Sequence, residues 1–125
     1  MLLVAIGRMP YLENLGLENT KVVVNPRGTI RVNEFCETDE PGIFAIGDVI
    51  DTAWLAHLAS KEGILVVERL AGKKVEPINH RLVPNCTYCD PEVASVGLTE
   101  AKAKEEGYDV KVGKFPFSAS GKARI

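Results

Sequence analysis

The sequence predicts an α/β chain: part of a parallel-sheet domain over residues 1–77, followed by the start of an α+β domain over residues 78–125. Three observations predict it. Two short, uninterrupted apolar runs, LLVAI at residues 2–6 and IFAI at 43–46, have the character of strands covered on both faces. A long amphipathic pattern follows the second run and stops at Gly72. Beyond a polar bridge the pattern changes to short segments in the order β-β-α-β.

Taken in order, the strand at 2–6 ends at Gly7, and Arg8-Met9-Pro10 turn the chain away from it. Leu12, Leu15 and Leu17, spaced by Asn14 and Gly16, suit one irregular helical turn. Residues 22–24 and 29–32 flank Asn25-Pro26-Arg27-Gly28, which is hairpin turn chemistry. Residues 35–41 form a polar entry to the next strand, with Cys36 as a packing residue. The strand at 43–46 stops at Gly47-Asp48. In the helix that follows, Asp51 or Thr52 is the expected cap, residues 53–57 the first turn and Gly72 the stop. Leu55, Leu58, Ala59, Leu65, Val66 and Leu70 fall on its core side, and Lys61, Glu62, Glu68 and Arg69 on its wet side. Gly63 costs roughly 1 kcal/mol against alanine in a helix, so it marks close packing against another backbone.

Lys73, Lys74 and Pro77 have linker composition, which places the domain boundary near residue 78. An edge strand at 85–89, a strand at 92–97, a helix capped by Thr99 and ended by Gly107, and a strand at 108–115 follow. The chain is expected to break off within an element at Ile125.

A hydrophobic fraction of 46% with 26% charged residues is ordinary for a soluble protein, and a formal net charge of −2 makes no electrostatic case for a nucleic acid or an anionic membrane. The opening MLLVAI has no basic segment before it and is broken by Gly7, so it reads as a strand and not a signal peptide. No apolar run approaches the roughly 20 residues of a membrane span. A soluble, cytoplasmic or matrix-like setting is expected. Three cysteines are an odd number, which fits a reducing compartment. Cys86 and Cys89 form C-x-x-C, open to three readings: a thioredoxin-like pair, half a zinc site, or two residues of a strand end. The strand end is favoured, because Pro91 and the β-rich residues 93–96 supply no helix N-terminus to activate a thiol, and only His80 is near as a further ligand.

Asp48 is the leading site residue. Open α/β sheets place ligands at strand carboxyl ends, and a carboxylate beside a glycine that permits close approach can accept hydrogen bonds from ligand hydroxyls. The helix start just beyond presents backbone N–H groups and a positive dipole end, where negative charge is stabilised.

AIGRMP at positions 5–10, GIFAIGDV at 42–49, WLAHLASKEG at 54–63 and NCTYCDPEVASVGLTEAKAKEEGYDV at 85–110 together resemble the dihydrolipoyl dehydrogenase family of flavoprotein disulfide reductases, over essentially the whole chain. The Leu-Ala-His triplet favours this family over glutathione or mercuric reductases. The resemblance implies FAD and NAD as cofactors. It places Asp48 on the ribityl chain of FAD, the helix start at Trp54, Leu55, Ala56 and His57 against the flavin pyrimidine edge, and Gly7 near the NAD site. The family usually has a flexible Met where this chain has Trp54. The fold so implied is the end of an FAD/NAD-binding domain and the N-terminal part of a dimerisation domain. The implied partners are a second copy, through that C-terminal domain, and the lipoyl-bearing components of 2-oxoacid dehydrogenase complexes.

Three parts of that chemistry are absent from the sequence: a G-x-G-x-x-G motif, cysteines spaced C-x-x-x-x-C, and a C-terminal His-Pro base. The chain is therefore expected to be an internal piece of a dihydrolipoamide-oxidising flavoprotein, inactive alone. The alternative is a stand-alone binding or assembly module with no chemistry.

Overall fold

The computed structural model describes residues 1–124, so Ile125, where an element was expected to break off, lies outside the described residues. The chain divides into two compact units, Met1–Asn79 and a second that begins at His80.

In the first unit the expected hairpin forms. The Arg31 N–H donates to the Val23 carbonyl at 2.8 Å and the Asn25 N–H to the Thr29 carbonyl at 2.9 Å, while Gly28 turns the chain at φ +81°. The Asn25 side chain closes the loop by accepting from the Arg27 and Thr29 amides. A second antiparallel pairing joins residues 36–38 to 43–45, through Ala45 N–H to Cys36 O at 3.1 Å and Thr38 N–H to Ile43 O at 3.1 Å.

The helix α1, Ala56–Leu70, packs on these turns with Leu58, Glu62, Leu65 and Val66 buried, an i, i+4, i+7, i+8 stripe. The core joins Ile30, Cys36, Ala45 and Ile50 to Leu65 and Val66. After Leu70 the Gly72 N–H bonds Arg69 O and the Lys73 N–H bonds Glu68 O, with Gly72 at φ +76°. That is a Schellman stop, as the glycine predicts.

Several expectations are corrected. Residues 2–6 form no strand, and Leu2, Leu3, Val4 and Ile6 are exposed, because no described segment pairs with them and a strand is held only by its ladder. The run at 43–46 is not covered on both faces: Ala45 is buried but Ile43 and Ile46 are 37% and 39% exposed. Among the described residues, parallel pairing is confined to the single Ile30–Ile50 bridge. The helix starts later than expected, with Leu55 at its N-cap and no side-chain cap; Asp51 instead faces Arg27, and the Thr52 hydroxyl bonds Glu62. Glu62 leaves the wet side for the core, at 1% exposure, while Leu70, expected inside, is 65% exposed at the last turn. Gly63 packs against a side chain and not a backbone, since an added Cβ would stand 3.4 Å from Ile46 Cδ1.

In the second unit the strands β1, Asn85–Thr87, and β2, Val93–Ser95, form an antiparallel pair in which Cys86 faces Ala94. The helix α2, Glu100–Glu105, is capped by the Thr99 side chain, which accepts from the Lys102 N–H at 3.2 Å. Gly107 ends it at φ +86°, in a second Schellman pattern. Residues 108–115 form no third strand, since their backbone finds no ladder partner among the described residues.

The burial pattern of α1 predicts how the stability of the protein responds to truncation. Leu58→Ala and Leu65→Ala should each cost about 2–5 kcal/mol in urea denaturation, and Ile64→Ala, 52% exposed, should cost under about 1 kcal/mol. Equal losses at positions 64 and 65 would contradict the assigned face.

Cys36 yields a pH prediction. Burial, reinforced by the nearby Glu62, pushes its thiol up to about 11. A raised folded-state value means that the neutral thiol's contribution to stability is complete below the ordinary thiol pKa of about 8.5 and is lost as pH rises through about 11. At a pH near 8.5, iodoacetamide should modify exposed Cys86 and Cys89 while Cys36 reacts only after denaturant is added. The check is mass spectrometry of the modified peptides.

Candidate functional site

Residues Gly47–Val49 form a single 3₁₀ turn at the end of the 43–46 segment. Gly47 is required there on two counts: its φ is +69°, and an added Cβ would lie 3.2 Å from Ala59 Cβ. The Gly47 N–H donates to Glu62 Oε2 at 2.7 Å, and the Ile50 N–H returns to Gly47 O at 3.1 Å. The turn is thereby tied to α1 at Gly47 and closed on itself at Ile50, and Asp48 projects outward, its side chain 52% exposed.

Arg8 gathers the expected site residues. Its Nη1 donates to Asp48 Oδ2 at 2.9 Å, its Nη2 to the Trp54 carbonyl at 2.7 Å, and its guanidinium lies 5.4 Å from the centre of the Trp54 ring. The indole N–H of Trp54 is turned inward to Ile50 O at 3.0 Å, so the donor that distinguishes Trp from Met serves the loop. Gly7, at φ +87° with open space around it, immediately precedes Arg8. Leu55 is the N-cap of α1, and Ala56 and His57 open its first turn, both exposed. Because Leu55 offers no side-chain oxygen, the opening amides of α1 have no side-chain cap.

The structure thus brings Asp48 and Trp54 together around Arg8, with Leu55, Ala56 and His57 following Trp54 in sequence. Two contributors went unread. Arg8 was seen only as part of a turn, since its partners lie 40 and 46 residues away. The sequence groups Glu62 with the wet side of the helix; its spacing to Leu58, Leu65 and Val66 is the signal that finds it.

Two concave surfaces among the described residues lie away from this turn. One of about 350 Å³ is lined by Glu37, Thr38, Asp39 and Glu40 among others. Its carboxylates are already engaged: hydrogen bonds from Arg69 and Asn33 hold Glu37 below the usual carboxylate range, and Arg31 does the same for Asp39. Cys86 and Cys89 are exposed free thiols, and Cys89 Sγ lies 3.1 Å from Pro91 O.

An accessible carboxylate beside the uncapped positive end of a long helix can receive hydroxyl donors and stabilise adjacent negative charge. The chain belongs to the pyridine nucleotide-disulphide oxidoreductase family, which matches residues 1–63, and the dimerisation domain of that family matches residues 83–125. The order of these matches bears out the α/β and then α+β organisation.

Among relatives, the chain is 55% identical over 124 residues to the dihydrolipoyl dehydrogenase of Bacillus subtilis (strain 168), covering 99% of this chain and 26% of that protein. To the mitochondrial dihydrolipoyl dehydrogenase of Canis lupus familiaris it is 51% identical over 124 residues, covering 99% and 24%. Among solved structures, LpdA from Mycobacterium tuberculosis superposes with a TM-score of 0.86 at 26% identity, over 95% of this chain and 26% of that one. The HOCl-induced flavoprotein disulfide reductase RclA from Escherichia coli gives 0.80 at 30% identity, over 96% and 28%. The chain therefore spans about a quarter of the length of the curated relatives it matches. No helix among the described residues is long and apolar enough to cross a membrane.

The Arg8 contacts predict a spectroscopic effect, because Trp54 is the single tryptophan. Arg8→Gln should alter the Trp54 emission spectrum, and high salt should move the parent towards the variant as the exposed ion pair is screened. The accompanying loss of stability should stay below about 1 kcal/mol. An unchanged spectrum would show that Arg8 does not lie over the ring.

Proposed function

We propose that this chain supplies the second flavin-binding segment and the opening of the dimerisation domain of an FAD-dependent disulfide reductase that oxidises dihydrolipoamide with NAD. The observation that carries the reading is the Gly47–Asp48 turn, fixed to α1 and presenting an accessible carboxylate that shares Arg8 with Trp54, which leads into the uncapped helix start. Those groups suit a flavin. An ionised carboxylate has about four acceptor sites, so the Arg8 contact at Oδ2 leaves capacity for a ribityl hydroxyl. The opening amides at Ala56 and His57 would face the part of the ring system that gains negative charge. When bound, FAD would carry the two-electron chemistry between a dithiol and the nicotinamide. Asp48 would hold and orient it, Trp54 and Leu55 would border it, and Gly7 would stand near the NAD site.

The domain boundary in this reading falls at 77/78, the part beyond it pairs with a second copy, and the lipoyl-bearing components of a 2-oxoacid dehydrogenase complex supply the substrate. The setting is the cytoplasm, or the mitochondrial matrix in a eukaryote. The stand-alone module is disfavoured by the exposed row Leu2, Leu3, Val4 and Ile6, an apolar surface that an independent module would leave in water.

The purified chain should not reduce NAD with dihydrolipoamide, whether or not FAD is added, and flavin-dependent turnover by the chain alone would overturn the reading. In the full-length flavoprotein, Asp48→Ala removes a charge-assisted hydrogen bond worth about 1.5–3 kcal/mol, so flavin should be held roughly 10- to 150-fold more weakly. Asp51→Ala, which loses only the exposed pair with Arg27, should leave flavin affinity near that of the parent. Flavin release followed by absorbance measures both. Equal affinity in Asp48→Ala and the parent would reduce Gly47-Asp48 to a structural turn.

A further inference from the structure

We infer that Glu62 is a positioning residue for this site: its buried carboxyl group locks the loop from Gly47 to Thr52 onto α1 and so sets where the Asp48 carboxylate stands. The inference rests on the flavin-binding reading above. Glu62 is 1% exposed and lies on the same helical stripe as Leu58, Leu65 and Val66, a place where an apolar side chain would satisfy packing. It takes part in none of the ion pairs among the described residues. Both its oxygens are instead given to the loop: Oε2 accepts from the Gly47 N–H at 2.7 Å and Oε1 from the Thr52 hydroxyl at 3.1 Å.

These two bonds straddle Asp48. Gly47 approaches α1 so closely that an added Cβ would meet Ala59 at 3.2 Å, and the acceptor for its amide comes from the same helix. Ile50, between the two anchors, is 1% exposed and pins the loop from below. With both ends tied and the middle buried, the outward direction of Asp48 is settled before any ligand arrives, and binding a flavin hydroxyl there orders little further chain. Without the Glu62 acceptor, the Gly47 amide is left unpaired against the helix and the turn must shift to reach water.

The test uses the full-length flavoprotein and two readouts: flavin dissociation, and hydrogen exchange at the Gly47 amide in the flavin-free protein. Glu62→Leu keeps the volume and removes the acceptor. It should speed Gly47 exchange and weaken flavin binding about 5- to 150-fold. Glu62→Gln can still accept from Gly47 and donate to the Thr52 oxygen, so it should restore both readouts nearly to the parent. If Glu62 acts through Asp48, Glu62→Leu should add no further loss of flavin in an Asp48→Ala background.

Parental flavin affinity in Glu62→Leu would overturn the inference, as would an equal loss with and without Asp48, which is the pattern of general destabilisation. Should Glu62→Leu fail to fold, Thr52→Val takes its place in the same two backgrounds. It should weaken flavin binding only where Asp48 is present, and an effect independent of Asp48 would overturn the inference. If Asp48→Ala itself binds flavin as the parent does, the flavin reading falls and the role of Glu62 with it. The two failures are therefore distinguishable.

Discussion

The hydrogen bond from the Gly47 amide to the buried carboxyl group of Glu62 is the contact on which the rest of the site depends. A glycine at left-handed φ brings the chain against α1, and a helix carboxyl group satisfies the amide that this approach would strand. The same carboxyl group takes the Thr52 hydroxyl, so the loop between strand and helix is tied at both ends. Leaving the amide unpaired would cost on the order of 1–3 kcal/mol, a large share of the stability of any small domain. Cys36 belongs to the same buried neighbourhood. Burial, with the Glu62 charge beside it, raises its thiol pKa.

Outside this buried anchor lies a second, softer layer. Arg8 spans Asp48 and the Trp54 carbonyl and covers the Trp54 ring, with both partners of its ion pair more than half exposed. Such a pair is worth about 0–1 kcal/mol and weakens with salt. The division of labour follows from these magnitudes: Glu62 fixes the backbone, and Arg8 tunes the orientation of groups already fixed. In the flavin reading proposed above, a ligand hydroxyl at Asp48 would add to the Arg8 contact without having to break it.

What was legible in the sequence was local. The Asn25-Pro26-Arg27-Gly28 hairpin, the Gly72 stop, the Thr99 cap and the Gly107 stop all follow from backbone chemistry within a few residues. The turn at Gly47-Asp48 was legible because the glycine and the apolar run ahead of it are adjacent in the chain. The misplaced elements share one cause, since their structure depends on distant partners. Residues 2–6 and 108–115 have strand composition but no described ladder partner. Glu62 is grouped with the solvent side in the sequence, whereas a loop amide and a loop hydroxyl brought close by folding give it a buried role. Arg8 was invisible as a site residue for the same reason. Membership of the family was legible earliest, since four short motifs in fixed order constrain the chain more than any of its individual propensities.

In the flavin reading proposed above, a turn pinned by Glu62 presents the Asp48 carboxylate to the hydroxylated chain of a flavin. The most direct measurement is a crystal structure of the full-length protein with FAD bound. The account predicts an Asp48 oxygen about 2.5–3.0 Å from a ribityl hydroxyl, with the Gly47 amide still on Glu62. A bound flavin whose hydroxyls all lie beyond about 3.5 Å from Asp48, or a Gly47 amide turned away from Glu62, would contradict it.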